Sequence, residues 1–499
     1  MSSDATPAGK PTEVKRPARA AGGRGRGAAL AAVVALLAAV GAGTAAYIID
    51  TTAAVDPPEP SQASATPGTP VLSARRVPQW TTELMANRSL VAAVEPVVAT
   101  APPGTCVEVG NGTETLYVVN GELPLVPASN QKLLTAVAAA EILGDDTVLS
   151  TEFRAAAPPV NGVLEGNLWM VGGGDPLITS DAGQGRKRGG PQPETNLEAM
   201  ADQVVAAGIT AVTGALIGDD SRYDTQRSLP GWPERWLAGG TVAPLSALLV
   251  NDGWQVDPIT GEGPGGPAPD PAANAAAALA TLLSERGVTF GAFPASGVAP
   301  ADAQTLLSVP SLPVSALAGQ ILRYSDNTTA ELLLKEIGLE VSAEGSTAAG
   351  AAAVADWAAA EGLAVSGANV TDGSGLSSTN LVTCELLASV LRSQGPDGGF
   401  AAGLAVPGQP GTLADRFPGD EWAERLRAKT GTLNEVTALS GWLVTRPGAT
   451  LDFEIVTNTS DRRVNADDIA LQSRVLTALL DQPVAPPLEQ AGPLPPEGA

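Results

Sequence analysis

The chain has 499 residues, of which 44% are hydrophobic and 16% charged, so it is long enough for two or three domains with buried cores. Its net charge of −24 makes nucleic acid an unsuitable partner. The absence of histidine excludes a Ser-His-Asp triad and argues against a zinc site, and no cofactor fingerprint is found. We therefore predict neither a metal nor a cofactor.

The N-terminal residues predict a membrane anchor. Residues 1–27 carry six basic and two acidic groups, whereas residues 28–49 are uncharged and would span roughly 33 Å as a helix. Arg24 and Arg26 precede this apolar segment, which places the basic head in the cytoplasm and the rest of the chain outside. We expect an uncleaved transmembrane signal anchor, with the body at the extracytoplasmic face of the cell membrane. Cleavage, which would give a secreted protein, is the alternative.

The next two segments differ sharply in composition. Residues 50–79 are rich in Pro, Ser, Thr and Ala, which predicts a flexible tether. Residues 80–150 predict a helix that ends before Pro96, two strands joined by a turn, and a second helix.

The remaining segments complete the predicted domain organisation. Residues 151–310 alternate short strand-like runs with Gly and Pro turns, which indicates a separate β-rich insertion with a few helices. Residues 311–482 predict several helices, consecutive antiparallel strands and a last helix. Residues 483–499 form a Pro-rich tail. We expect residues 80–150 and 311–482 to form one discontinuous domain.

Two cysteines, Cys106 and Cys384, are available for a disulfide. An extracytoplasmic location permits the bond. Because the sequence does not show whether the two residues meet in space, a disulfide and two buried thiols both remain open.

The segment PASNQKLLTAVAAAE places Ser129 and Lys132 one helical turn apart at the start of an apolar helix. The chain has six lysines against 23 arginines, and the lysines beyond the anchor are Lys132, Lys187, Lys335 and Lys429. Lysine can lose its proton when burial lowers its pKa, whereas arginine stays charged. A serine hydroxyl needs a base to become nucleophilic, so Ser129 and Lys132 are predicted as nucleophile and base. In isolation the same spacing is more often a helix cap followed by a surface lysine.

A second motif is Ser325-Asp326-Asn327, which stands between two helical segments that can hold its side chains rigidly. Residues 378–380 read Ser-Thr-Asn and fit the pattern Ser-x-Asn equally well. They lie in a turn-rich loop, where Ser and Asn are expected for local reasons. We therefore prefer the triplet that begins at Ser325.

A third motif, Lys429-Thr430-Gly431-Thr432, falls on a predicted strand. Side chains alternate along a strand, so Lys429 and Gly431 share one face while Thr430 and Thr432 share the other. A cation beside hydroxyl groups on a sheet edge is suited to hold a substrate carboxylate. Taken alone, the motif also fits an edge strand protected by lysine.

The order S-x-x-K, S-D-N, K-T-G is the set found in penicillin-binding proteins and class A β-lactamases. Together with GGGDPLI at residues 172–178 and DGSGLS at residues 372–377, it resembles the D-alanyl-D-alanine carboxypeptidase/endopeptidase family typified by penicillin-binding protein 4, peptidase family S13. The resemblance covers roughly residues 80–480. It implies an α+β fold, a penicillin-recognising transpeptidase/β-lactamase-like domain with an antiparallel sheet flanked by helices and a large β-rich insertion between the first two motifs.

The resemblance also implies catalytic roles. Ser129 would attack the carbonyl between the two terminal D-alanines of a peptidoglycan stem peptide, and Lys132 would take its proton. Ser325, helped by Lys429, would relay a proton to the departing amine. Asn327 would bind the substrate amide and steady Lys132. Water would then release the acyl-enzyme.

The implied substrate-binding residues are Asn327 and the strand motif Lys429, Thr430, Gly431 and Thr432, which would hold the terminal carboxylate. The backbone N–H groups of Ser129 and Thr432 would form the oxyanion hole, and β-lactams would trap the same serine. Two alternatives stay open. A β-lactamase is disfavoured by the large insertion and by the absence of a convincing E-x-x-L-N element. A catalytically silent cell-wall binding or sensor protein would have no need for Lys132.

Overall fold

The computed structural model describes residues 79–184 and 192–483. Its helices are α1 (Gln79–Val98), α2 (Gln131–Leu143), α3 (Asp181–Gln184), α4 (Leu197–Ala206), α5 (Glu234–Ala238), α6 (Pro271–Glu285), α7 (Val314–Tyr324), α8 (Asn327–Ser342), α9 (Thr347–Ala360), α10 (Cys384–Gln394), α11 (Gly399–Gly403), α12 (Asp420–Arg425) and α13 (Ala466–Leu479). Its strands are β1 (Thr105–Gly110), β2 (Thr115–Val119), β3 (Thr151–Ala155), β4 (Val163–Leu164), β5 (Leu168–Val171), β6 (Ile178–Thr179), β7 (Thr195–Asn196), β8 (Ala211–Val212), β9 (Leu216–Asp219), β10 (Thr289–Phe290), β11 (Ala295–Ser296), β12 (Gln304–Val309), β13 (Leu426–Thr432), β14 (Val436–Val444) and β15 (Thr450–Asn458).

The predicted head (1–27), signal anchor (28–49) and tether up to residue 78 lie outside the described residues, as do residues 484–499 of the predicted tail. Within residues 79–184 and 192–483, no helix combines the length and the apolar character needed to cross a bilayer.

A five-stranded antiparallel sheet in the order β13-β14-β15-β1-β2 lies at the centre of the segments expected to form the catalytic domain. Side chains alternate between its two faces. Leu439 and Phe453 point to one face and pack with α1 and α13. Trp442 and Val456 point to the other and pack with α2 and α10. The sheet therefore lies between two helical layers, as expected from the sequence.

Helix α2 is the central helix of the second layer, and its residues 131–139 are all buried. Its run of alanines leaves room for other helices to approach closely, and α2 shares one apolar core with α7, α8 and α10. The start of α2 is thereby fixed between the sheet and the neighbouring helices. This is the place where the sequence puts Ser129 and Lys132.

The segment between α2 and α7 carries strands β3 to β12. They form a five-stranded, a three-stranded and a two-stranded sheet, and helices α4 and α6 cover a core of their own. These elements lie within residues 151–310, which the sequence predicts as a β-rich insertion. The exact domain boundaries stay a prediction.

Cys106 on β1 and Cys384 at the start of α10 form a disulfide, with their Cα atoms 6.1 Å apart. Of the two alternatives left open by the sequence, the structure selects the bond. It joins the central sheet to the helical layer packed on it.

One expected helix end is wrong. Helix α1 was expected to end before Pro96 but continues to Val98. A proline costs a helix one hydrogen bond and crowds the preceding turn. Because Leu90, Val94 and Val98 all enter the core below the sheet, burial of the last turn outweighs that local cost.

Candidate active site

Ser129 lies in a 3₁₀ turn, Ala128–Asn130, directly before α2. Ala128 has a left-handed backbone with φ of 48°, a conformation that costs free energy for a residue with a Cβ. Strand β13 packs against this turn, and a Cβ added at Gly431 would lie 2.8 Å from the Pro127 carbonyl oxygen. Glycine in the strand motif therefore allows the close approach that brings β13 beside Ser129.

Lys132 is fully buried one turn further along. Its Nζ donates hydrogen bonds to Ser129 Oγ at 3.1 Å, to Asn327 Oδ1 at 2.7 Å and to the Ser374 carbonyl oxygen at 2.5 Å. These partners come from three separate segments of the chain. The amine is thus held in one position with the serine hydroxyl within reach.

Burial lowers the pKa of Lys132 to about 8, because an ammonium ion loses its hydration when it is enclosed. The carboxyl groups of Glu331, Asp372 and Asp326 act in the opposite direction and keep the value from falling further. A fraction of the amine is therefore neutral near neutral pH and able to accept a proton.

Ser325 ends α7 in a left-handed conformation, with φ of 61°, and so turns the chain into α8. Asp326 caps α8 by accepting from the Thr329 backbone N–H at 2.9 Å. Asn327 is the first residue of α8, and while its Oδ1 accepts from Lys132, its Nδ2 donates to the Thr241 carbonyl at 2.7 Å. The insertion therefore helps to orient the asparagine amide.

Lys429 on β13 is also fully buried, and its Nζ donates to Ser325 Oγ and to the Thr430 carbonyl, both at 2.8 Å. Burial lowers its pKa well below the ordinary value, and the nearby Lys132 adds to the effect. Gly431 is buried on the same side, while Thr430 is half-buried and Thr432 is exposed, as the strand alternation predicts. All three motifs thus meet at one place.

The second Ser-x-Asn triplet serves a different purpose. Asn380 is buried and donates to Asp372 Oδ1 at 2.7 Å. Asp372 also accepts from the backbone N–H groups of Gly375 at 2.8 Å and Ser377 at 2.6 Å, and from Trp232 Nε1 at 3.1 Å. These bonds fix the turn that presents the Ser374 carbonyl to Lys132.

The sequence reasoning missed two main-chain partners and one side chain. The carbonyl groups of Ser374 and Thr241 bind Lys132 and Asn327, but a carbonyl carries no residue-type signal. The side chain is Glu331, whose only sequence signal is its place four residues after Asn327 on one helix.

A cavity of about 670 Å³ adjoins the site. Ser325 and Asn327 line it together with Thr241 and Trp254 of the insertion. The insertion therefore builds part of the wall next to the second motif.

Comparisons with known proteins point to one family. The family model described as the D-Ala-D-Ala carboxypeptidase 3 (S13) family matches residues 89–269 and 268–478. The chain is 30% identical over 421 residues to a D-alanyl-D-alanine carboxypeptidase of Actinomadura sp. (strain R39), covering 69% of this chain and 75% of that protein. It is 31% identical over 451 residues to carboxypeptidase DacB of Mycolicibacterium smegmatis, covering 87% and 92%.

Among solved structures, penicillin binding protein 4 (dacB) from Haemophilus influenzae superposes with a TM-score of 0.66 at 22% identity, covering 78% of this chain and 99% of that one. This likeness confirms the expected α+β fold. The family model and the curated relatives establish the ancestry: the chain belongs to the D-Ala-D-Ala carboxypeptidase 3 (S13) family.

Proposed function

We propose that this D-Ala-D-Ala carboxypeptidase is acylated on Ser129, with Lys132 as the base that removes the hydroxyl proton. The observation that carries the proposal is the contact between the buried Lys132 amine and Ser129 Oγ at 3.1 Å, in a chain without histidine. A general base works best when its pKa lies near the pH of the reaction, and the pKa of Lys132 is about 8.

In the proposed reaction, Ser129 Oγ bonds to the carbonyl carbon between the two terminal D-alanines while its proton passes to Lys132. The C–N bond then breaks, and Lys132 passes the proton to the departing amine through Ser325. The Ser325 hydroxyl accepts a hydrogen bond from Lys429 at 2.8 Å. A water molecule attacks the ester carbon and gives a proton to Lys132. The bond between this carbon and Ser129 Oγ then breaks, Oγ takes the proton back from Lys132, and the shortened peptide leaves.

The proposed substrate-binding groups surround this path. Asn327 is fixed between Lys132 and Thr241, which orients its amide toward a substrate peptide group. Lys429 with Thr430, Gly431 and Thr432 would hold the terminal carboxylate. The backbone N–H groups of Ser129 and Thr432 would stabilise the oxyanion. We propose peptidoglycan stem peptides ending in D-Ala-D-Ala as substrates, including cross-linked ones, and β-lactams as inhibitors.

The test is covalent labelling with a fluorescent penicillin together with release of free D-alanine from a D-Ala-D-Ala pentapeptide. Ser129→Ala should abolish both signals. Ser393→Ala removes an exposed serine on α10 that bonds only within its own helix turn, and it should keep both signals. Labelling that persists in Ser129→Ala would contradict the assignment. Rapid penicillin turnover would indicate a β-lactamase, and labelling without D-alanine release would indicate a silent binding protein.

We also propose that residues 28–49 hold the enzyme at the extracytoplasmic face of the membrane. The uncharged segment, the arginines before it and the disulfide between Cys106 and Cys384 support this location, since disulfides persist in oxidising compartments. Cell fractionation tests it. The full chain should sediment with membranes and a chain without residues 1–49 should not; a full chain found in the soluble fraction would contradict the anchor.

A further inference from the structure

Glu331 is a buried carboxyl group for which the proposed reaction has no use. It lies on α8 four residues after Asn327, so the two side chains point to the same side of the helix. Its side chain is fully buried, and Oε1 accepts from the Ser374 backbone N–H at 2.8 Å.

Ser374 connects this carboxyl group to the lysine. Its N–H binds Glu331 and its carbonyl oxygen accepts from Lys132 Nζ at 2.5 Å. Lys132 also binds Asn327 one turn away on the same helix as Glu331. Glu331 and Lys132 are therefore linked through Ser374 and through helix α8, and they belong to one buried cluster. Their charged atoms are not in direct contact.

The two groups titrate in the same range. Burial raises the pKa of Glu331 to about 8, with a further contribution from Asp372, while burial lowers the pKa of Lys132 to about 8. The charge of Glu331 is also the largest of the carboxylate effects that favour a protonated Lys132. A negative Glu331 therefore favours the protonated form of Lys132, and a protonated Lys132 favours the negative form of Glu331.

Other charged groups act on the same cluster. Asp372 comes from the turn, Asp326 from the start of α8, and Lys429 from β13. The further titratable groups on α8 and on the helices packed against it are Arg323, Tyr324, Glu141, Lys335, Glu336, Glu340 and Asp356. Lys335 and Glu336 are held in ion pairs with Asp224 and Arg222 of the insertion.

We propose that Glu331 and Lys132 compete for one shared proton, so that Glu331 is a positioning residue that sets the pH range in which Lys132 acts as a base. The inference rests on the proposed role of Lys132. When the first proton leaves the pair, it comes either from the amine, which makes the base ready, or from the carboxyl group, which leaves Lys132 protonated and idle. Only the first of these two forms can take the proton of Ser129.

The test compares the rate constant for acylation by a fluorescent penicillin in the wild type and in Glu331→Gln between pH 5.5 and 9.5. Glutamine keeps an oxygen that can accept from Ser374 but cannot become negative. The midpoint of the rising acidic limb should move to lower pH by about one unit, the coupling expected of closely interacting sites. Glu340→Gln, a change at an exposed position on the same helix, should leave the midpoint in place.

A second variant distinguishes the effect of the Glu331 charge from the effect of its hydrogen bond with the Ser374 N–H. Glu331→Leu removes the acceptor of the Ser374 N–H as well as the charge, so the acylation rate should fall at every pH while the midpoint still moves to lower pH. An unchanged midpoint in Glu331→Gln, whatever its rate, would reduce Glu331 to a structural support and overturn the inference. That result would leave the proposed function intact, since the latter is decided by the labelling of Ser129→Ala.

Discussion

Lys132 has a hydroxyl, an amide oxygen and a main-chain carbonyl as its acceptors. None of these carries a full charge, so enclosure shifts the amine toward its neutral form. Lys335 is equally buried but has the carboxylate of Asp224 at 2.5 Å. The two lysines differ in their partners, because Lys335 is paired with a carboxylate whereas the acceptors of Lys132 are uncharged.

This contrast gives a prediction at the residue scale. Lys132→Met keeps most of the buried volume but removes the base, and acylation by a fluorescent penicillin should fall about 10²–10⁴-fold, the usual contribution of a general base. Lys335→Met is the matched control, because it also removes a buried lysine. It should lower the melting temperature, since Asp224 loses its partner, yet acylate at nearly the wild-type rate. Equal losses of acylation in both variants would argue against a special role for Lys132.

At the scale of elements, the central sheet also contains enclosed carboxyl groups. Glu454 on β15 stands opposite Glu108 on β1 and Ser440 on β14, and it is fully buried. Neither of its carboxyl oxygens has a hydrogen-bond partner in the described part of the chain. Burial raises its pKa well above the ordinary value, Asp452 and Glu108 add to the shift, and Arg392 opposes it.

The sign of the resulting pH dependence follows from the raised pKa. In the folded protein Glu454 keeps a proton that the unfolded chain releases above pH 4.5. The contribution of Glu454 to stability is therefore complete at lower pH and is lost as pH rises toward the folded pKa. The loss can reach about 1.4 kcal/mol per pH unit. Glu454→Gln should remove this slope and stabilise the protein at pH 7–8, measured by urea unfolding from pH 5 to 8.

Glu122→Gln, which changes an exposed glutamate, is the control for that measurement and should leave the pH dependence as in the wild type. If Glu454→Gln loses stability with pH as steeply as the wild type, the carboxyl group is not the source of the slope.

At the scale of the whole molecule, ion pairs and hydrogen bonds connect the insertion to α8. Arg222 binds Glu336 through two hydrogen bonds of 2.7 Å, and Lys335 pairs with Asp224. At the start of the same helix, Asn327 donates to the Thr241 carbonyl. The insertion thus supports the helix that carries two of the groups bound to or acting on Lys132.

The disulfide acts on a similar scale, because it closes a loop of 278 residues that includes the whole insertion. Replacing Cys106 and Cys384 together by alanine should lower the free energy of unfolding by about 3–5 kcal/mol, chiefly because the unfolded chain gains freedom. Equilibrium unfolding in urea measures the loss. The folded variant should still be labelled by penicillin, and a stability equal to that of the wild type would contradict a structural role for the bond.

The sequence by itself determined which chemistry to expect. The absence of histidine, the scarcity of lysine and the order of three short motifs were enough to predict Ser129, Lys132, Ser325 and Lys429 as one site, and the structure brings them together. The layered α+β fold was expected from the family resemblance that these motifs carry, and local patterns of apolar residues predicted many of its strands and helices.

Only the tertiary structure decided the rest. The end of α1 beyond Pro96, the bond between Cys106 and Cys384, and the carbonyl groups that bind Lys132 and Asn327 depend on segments far apart in the chain. A residue's type reports what its side chain can do. Its protonation and its neighbours depend on what encloses it, and that enclosure exists only once the chain has folded.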